Sequence, residues 1–237
     1  MSKKNQIALI TGASSGIGQS VAVELSKKGF EVIISSRNID GLNQTKDLID
    51  SAGGKSHIIQ MNILDYKSVE NLFVESQKIG FVDVVVNNAG FGKFDKLENI
   101  SLEDWDMQIN VNLRGAFLVT QFFSRPMIEN KNGMFVYVNS VAGKKGYPFS
   151  SAYVTSKFGL LGFSKSIRNE LREYNIKVVS VHPGAVDTNF WNNVKGDFPR
   201  DKMMSSENVA KSIAHAILAP ENVVLEEIDI QRTAGNF

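Results

Sequence analysis

The chain has 237 residues, 43% of them hydrophobic, with 26 Lys and Arg against 25 Asp and Glu, a formal net charge of +1 and no Cys. This is the composition of a globular chain with apolar material for a sizeable core, and it excludes a disulfide framework, a thiolate metal site and a cysteine nucleophile. The near-zero charge balance supplies no bulk field for nucleic acid or an anionic membrane, so any anion site has to be local.

No apolar run approaches the roughly 18–20 residues of a membrane span. Lys3 and Lys4 run at once into a strand and a glycine-rich turn, not into an apolar leader with a cleavage site. The expectation is a soluble, cytoplasmic protein without nucleic-acid or membrane partners.

In chain order, short runs rich in Val and Ile alternate with segments of helical period. Strands are expected at Gln6–Ile10, Glu31–Ser36, Ser56–Gln60, Val82–Asn87, Met134–Asn139, Lys177–His182 and Val224–Ile230. Helices are expected at Ile17–Lys28, Tyr66–Ile79, Ser101–Ile128, Ala152–Glu173 and Glu207–Leu218, the third opened by a Ser101 and Asp104 capping pair. This alternation predicts an α/β fold, a parallel sheet of about seven strands with helices on both faces. An eight-fold barrel is the rival; the strand count and the glycines after the first strand favour an open, doubly wound sheet in a single domain over residues 1–237.

Those glycines stand in Thr11-Gly12-Ala13-Ser14-Ser15-Gly16-Ile17-Gly18, between the first strand and the first helix. Glycine permits positive φ and close approach of backbone to a pyrophosphate at a helix N-terminus; a merely tight structural turn needs glycine too. Gly12 to Gly16 also matches GxSxG, which would make Ser14 the nucleophile of a serine hydrolase, given an acid and a base among His57, His182 and His215. The three histidines have no zinc-ligand spacing, and no metal is expected. Further on, Tyr153 and Lys157 share one helix face at i and i+4, and Ser140 stands at the carboxyl end of a predicted strand, where parallel sheets bind ligands.

With these residues in place, the chain resembles the short-chain dehydrogenase/reductase family along nearly its whole length. The resemblance rests on the turn at Thr11–Gly18, Asn87-Asn88-Ala89-Gly90, Asn112 in Asn112-Leu113-Arg114-Gly115, Ser140, Tyr153 with Lys157, and Pro183-Gly184 followed by Thr188. It implies a Rossmann-type fold, a nicotinamide dinucleotide, and hydride transfer between that cofactor and a carbonyl or secondary alcohol. It casts Asn112, Ser140, Tyr153 and Lys157 as catalytic residues. Tyr153 would be the proton donor, with a free pKa near 10 that Lys157 offsets by stabilising the phenolate. Ser140 would orient the substrate oxygen, and Asn112, chosen over Asn110, would anchor a water leading protons to Lys157.

The resemblance also implies the cofactor residues. They are Gly12, Ser14, Ser15, Gly16, Ile17 and Gly18 in the first turn, then Asn88, Ala89 and Gly90, then Tyr153, Lys157, Pro183, Gly184, Val186 and Thr188. Asn62 and Ile63 would flank the adenine. At the end of the second strand Ser36 stands where an acid would select NAD, and Arg37 suits a 2′-phosphate, so NADP(H) is expected to be preferred, with NAD(H) as the lesser alternative.

Three loops are expected to line the substrate side: Phe91–Phe94, Val141–Phe149 and Asp187–Met204. The last, with Phe190, Trp191, Phe198, Met203 and Met204, reads as a lid or as packing on the core or a partner subunit. Lys144 and Lys145 are candidates for a substrate carboxylate or phosphate, or for plain solvation. With the chain's ending, they make a 3-oxoacyl or 3-hydroxy acid compound the leading substrate. A non-catalytic NADP(H)-binding sensor or scaffold is the alternative of a different class. The family resemblance implies a homodimer or homotetramer.

Overall fold

The computed structural model describes residues 6–194 and 198–235. In chain order the strands are β1 (Ile7–Thr11), β2 (Glu31–Ser35), β3 (Lys55–Ile58), β4 (Val82–Asn87), β5 (Gly133–Val138), β6 (Ile176–Pro183), β7 (Val186–Asp187), β8 (Met204–Ser205) and β9 (Glu227–Ile230). The α-helices are α1 (Gly16–Lys27), α2 (Ile39–Ser51), α3 (Tyr66–Ile79), α4 (Leu102–Ile109), α5 (Gly115–Asn130), α6 (Ser151–Leu171) and α7 (Ser206–Ile217). Seven strands form one wholly parallel sheet in the order β3-β2-β1-β4-β5-β6-β9, and β7 pairs with β8 apart from it. This is the α/β, doubly wound architecture expected of the sequence.

The central strands are mostly apolar on both sides because both faces are covered. Along β1, Ala8 and Ile10 join a core with Val21 and Leu25 of α1 and Ile213 of α7, while Ile7 and Leu9 join the opposite core with Leu72 of α3 and Phe123 of α5. The two-residue period of a strand sends alternate side chains to the two layers. The order reverses at β1, whose neighbours β2 and β4 lead the chain to opposite sides. A crevice therefore opens at the carboxyl ends of β1 and β4.

Four local differences bear on the site. The expected helix Ser101–Ile128 is three pieces: α4, a π-helical turn over Asn110–Arg114, and α5. Its start is as expected, the Ser101 hydroxyl accepting from the Asp104 N–H at 3.1 Å. α2, absent from the expected helices, carries a sparse buried stripe of Gly41, Leu42, Thr45 and Ile49, and Asn38 caps it by accepting from Gly41 N–H. The third strand ends at Ile58 and the last begins at Glu227, both shorter than expected. No helix among the described residues is long and apolar enough to cross a membrane.

Candidate active site

The crevice at the strand ends encloses about 1230 Å³ and is lined from one end by the β1–α1 turn and from the other by Ser140, Tyr153, Phe190, Trp191 and Phe198. That exceeds the ~300–1,000 Å³ of an ordinary small-molecule pocket, and leaves room for a dinucleotide beside a substrate.

At the β1–α1 turn, Gly12 has φ +66°, and a Cβ there would stand 2.8 Å from Ala89 Cα, so the turn and the β4 loop meet at a distance only glycine permits. The Thr11 hydroxyl accepts from the N–H groups of Asn88 and Ala89, each at 3.1 Å. The Asn88 amide donates back to the carbonyls of Thr11 at 3.0 Å and Gly12 at 3.1 Å. The Asn88 side chain thus holds two loops together at the crevice wall, and Thr11, not singled out from sequence, is the residue it holds. Ser15 precedes α1 without capping it through its side chain, so N–H groups of the first turn remain for an anion. Ser14, Ser15, Gly16 and Ile17 line the crevice, whereas Gly18 is buried in α1 against the Gly12 carbonyl and Asn88.

The end of β2 brings Ser36 and exposed Arg37 to the rim, with no carboxylate beside them and no ion-pair partner for Arg37 among the described residues. Asn62 does not line the crevice as expected. Its Oδ1 accepts from Leu64 N–H at 3.2 Å, closing its own turn, and it is Met61, Ile63 and Leu64 that form the wall. Pro183, Gly184, Val186 and Thr188 complete this side.

The chemistry-bearing residues converge at the other end. β5 delivers Ser140, whose hydroxyl accepts from Ala142 N–H at 3.1 Å and opens a 3-10 turn over Val141–Gly143. α6 places Tyr153 and Lys157 one turn apart, the Lys157 ammonium 5.7 Å from the Tyr153 ring centroid. Burial raises the Tyr153 hydroxyl to about 12, against an opposing hydrogen bond with Ser140. Burial also lowers the Lys157 ammonium to about 8, and it donates to the Val138 carbonyl at 3.0 Å.

Asn112 reaches this cluster because the π turn displays it. Its Oδ1 accepts from Phe91 N–H at 2.7 Å, and its amide donates to Phe91 O at 2.8 Å and to Ser156 Oγ at 2.9 Å. Both amide hydrogens are engaged within the protein. It braces the β4 loop against α6.

Over Tyr153 lies a wall of rings. Phe94 and Phe190 stand 5.3 and 5.5 Å from the Tyr153 ring and 6.0 Å from each other, and Phe198 packs on Trp191 at 4.7 Å. The Phe190 ring occupies the space where Gly92 lacks a side chain. Arg200, missed from sequence, ties this segment down through Asp187 Oδ1 at 2.5 Å, Asn192 Oδ1 at 3.0 Å and the Thr188 carbonyl at 3.0 Å. Phe149, with φ +63°, accepts from Asp95 N–H at 2.9 Å and joins the loops across the mouth. Lys195–Asp197 of the expected lid lie outside the described residues.

Several sequence expectations need correction here. Met203 and Met204 do not line the crevice; Met204 pairs in β8 and packs on the core. Lys144 turns away from the substrate side, its ammonium 3.1 Å from Glu227 and 2.8 Å from Asp229, and Lys145 lies over the Tyr147 ring at 5.6 Å. For Ser14 as a nucleophile, the histidines are elsewhere: His57 pairs with Glu31, His182 contacts Ser140, and His215 ends α7.

A nucleotide-sized crevice at the switch point, with Ser140, Tyr153 and Lys157 at one end, matches a known protein class. The family described as short chain dehydrogenase matches residues 6–197, and the chain belongs to that family. It is 34% identical over 239 residues to the sepiapterin reductase of Chlorobaculum tepidum, covering 98% of each chain. It is 34% identical over 194 residues to a 3-oxoacyl-(acyl-carrier-protein) reductase of Synechocystis, covering 81% of this chain and 78% of the relative. Among solved structures, an alcohol dehydrogenase of Thermococcus sibiricus complexed with 5-hydroxy-NADP superposes with a TM-score of 0.90 at 26% identity, covering 97% of each chain.

Proposed function

We propose that the chain is an NADPH-dependent carbonyl reductase that works in the cytoplasm as a homodimer or homotetramer. The observation that carries this reading is the placing of Tyr153 and Lys157 on one face of α6 beside Ser140, in a crevice whose far rim bears Arg37 and no carboxylate. NADP(H) fits that crevice. The uncapped start of α1 and the Gly12 approach suit its pyrophosphate, and Arg37 suits its 2′-phosphate. Support also comes from the Thermococcus sibiricus structure, which holds an NADP derivative. NAD(H) is the weaker alternative.

A nicotinamide held in the crevice would supply hydride to the carbonyl carbon. The chain's own residues manage the charge that then builds on oxygen: the Ser140 hydroxyl holds that oxygen, and the Tyr153 hydroxyl gives it a proton, completing the alcohol. Lys157 favours the phenolate left behind and helps its reprotonation from solvent. In the reverse direction the same groups remove the alcohol proton.

The substrate is a neutral carbonyl compound with an apolar or aromatic body. Phe94, Phe190, Trp191 and Phe198 provide the surface, and Lys144 is committed to Glu227 and Asp229. This class includes a 3-oxoacyl thioester, in keeping with the Synechocystis relative, and disfavours a free 3-hydroxy acid held by its carboxylate. For assembly, Phe117 on α5 and Phe158 on α6 are 41% and 45% exposed and supply an apolar face for a second copy.

The test is absorbance at the reduced-nicotinamide band with NADPH, then NADH, against 3-oxoacyl thioesters, aryl ketones, aldehydes, diketones and 3-hydroxy acids. Turnover of neutral carbonyls with NADPH is expected. Tight NADPH binding without turnover of any of them would favour a sensor.

A further inference from the structure

His182 is the penultimate residue of β6, directly before Pro183, and is fully buried, yet it has no place in the chemistry described so far. Its Nδ1 lies 3.1 Å from the carbonyl oxygen of Ser140. A carbonyl only accepts, so the imidazole proton sits on Nδ1 and Nε2 carries the lone pair. Burial lowers its pKa and favours this neutral form. Nε2 has no hydrogen-bond partner among the described residues and faces Glu227, whose Oε2 is 4.0 Å away. The charged groups around it are Lys144 from the turn after Ser140, Glu227 and Asp229 from β9, and Lys165 from α6, which pairs with Glu227 at 3.0 Å.

These contacts clamp one short segment at both ends. The Ser140 carbonyl accepts from His182 at the start of the turn, as well as from Gly143 N–H at 2.9 Å within it. At the end of the turn the Lys144 ammonium is held by Glu227 and Asp229. Between these anchors the Ser140 hydroxyl has little freedom except rotation about its own bond toward Tyr153 and the crevice.

We propose that His182 is a positioning residue for Ser140, fixing the peptide whose side chain holds the reacting oxygen, with Lys144 and Glu227 as the second anchor of the same turn. The proposal rests on the reading of Ser140 as the residue that orients the carbonyl oxygen. It assigns a role to the residue before Pro183-Gly184 that neither the glycine-rich turn nor the Tyr153 and Lys157 pair implies. A displacement of a few tenths of an ångström at Ser140 misaligns the hydroxyl, and losses of this kind appear in kcat more than in cofactor binding.

Two variants separate positioning from plain packing. His182→Leu keeps the volume and removes the donor, while His182→Asn keeps an N–H near the place of Nδ1. With NADPH and the best carbonyl from the substrate panel, His182→Leu is expected to lower kcat about ten-fold or more with the KM for NADPH unchanged. His182→Asn is expected to recover most of that loss, and Lys144→Met to lower kcat a few-fold. Equal kcat in the Leu and Asn variants would overturn the proposal, as would a loss shared equally by kcat, NADPH affinity and melting temperature. A readout independent of turnover is the long-range ¹H–¹⁵N spectrum of the NADPH-bound wild type between pH 6 and 8. A proton on Nδ1 is expected, and a proton on Nε2 alone sinks the proposal whether or not any carbonyl is reduced.

Discussion

The Lys157 ammonium stands 5.7 Å from the centroid of the Tyr153 ring, one helical turn along α6, and the same burial drives the two groups in opposite directions. The tyrosine rises to about 12 and the lysine falls to about 8. In water the two titrate almost together, near 10 and 10.4. In the protein it is the lysine that changes charge near neutral pH.

The pH profile follows from this inversion. Carbonyl reduction is expected to be flat below about pH 8 and to fall above it, as the ammonium that stabilises the departing phenolate is lost. Alcohol oxidation should rise over the same range. Tyr153→Phe should bind NADPH and remain folded while losing turnover. A Tyr153→Phe enzyme with wild-type rates would remove the tyrosine from its role.

Lys157 also bears on stability. Its folded-state pKa lies below the ordinary lysine value of 10.5, so between about 8 and 10.5 the unfolded chain binds more protons and stability rises with pH. At pH 7 the folded protein carries a buried ammonium at a cost. Lys157→Met should therefore abolish turnover and raise the melting temperature by a few degrees, about 2–4 °C per kcal/mol relieved. Thermal denaturation at pH 7 checks this, and a lower melting temperature contradicts it.

Arg37 stands at the end of β2 with no ion-pair partner among the described residues. Arg37→Asp should raise the KM for NADPH by about 10- to 100-fold, the worth of a charge-assisted hydrogen bond to phosphate, and improve NADH. The ratio of kcat/KM for the two cofactors is the measurement, and an unchanged ratio removes Arg37 from cofactor choice.

Phe190 packs against Tyr153 and Phe94 over Gly92. Phe190→Ala should raise the KM for an aryl ketone several-fold with little change in NADPH affinity, because the lost ring contacts are worth about 0.5–1.5 kcal/mol each. Gly92→Ala should act in the same direction by displacing the Phe190 ring. Steady-state kinetics on a small aliphatic aldehyde beside the aryl ketone tells the two effects apart: only the aromatic substrate should suffer markedly.

Asn112 satisfies both backbone groups of Phe91. Asn112→Leu leaves them without that partner and should cost about 1–3 kcal/mol for each group kept from water, seen as an earlier denaturant midpoint. A variant as stable as wild type would show that water replaces the amide.

The sheet was readable because strands covered on both faces spell themselves as unbroken apolar runs such as Val84-Val85-Val86. The glycine-rich turn was readable because backbone conformation there depends on residue type. α2 was not, since only Leu42, Thr45 and Ile49 with Gly41 make its buried stripe and the rest is polar. The ends of side chains were less legible still. Lys144 finds Asp229 85 positions away in the chain, and Asn112 finds Phe91 across 21, partners that no local pattern announces. Residue identity pointed to where the chemistry gathers; which atoms each side chain holds came only from the packing.

The π turn at Asn110–Arg114 has a consequence for how this chain tolerates change in length. A π turn is an α-helix carrying one surplus residue, and each α-helical residue advances the helix by about 100°. Removing one residue there would mend the helix and rotate everything on its N-terminal side by that angle. α4 would carry Gln108 and Asp104 away from Lys93, whose backbone and ammonium they now hold at 3.1 and 2.6 Å, and the loop above Tyr153 would lose its footing. The irregularity works as a phase setting between two halves of one rod. Substitutions on the outer surface of α4 leave that phase alone, whereas a single-codon deletion resets it.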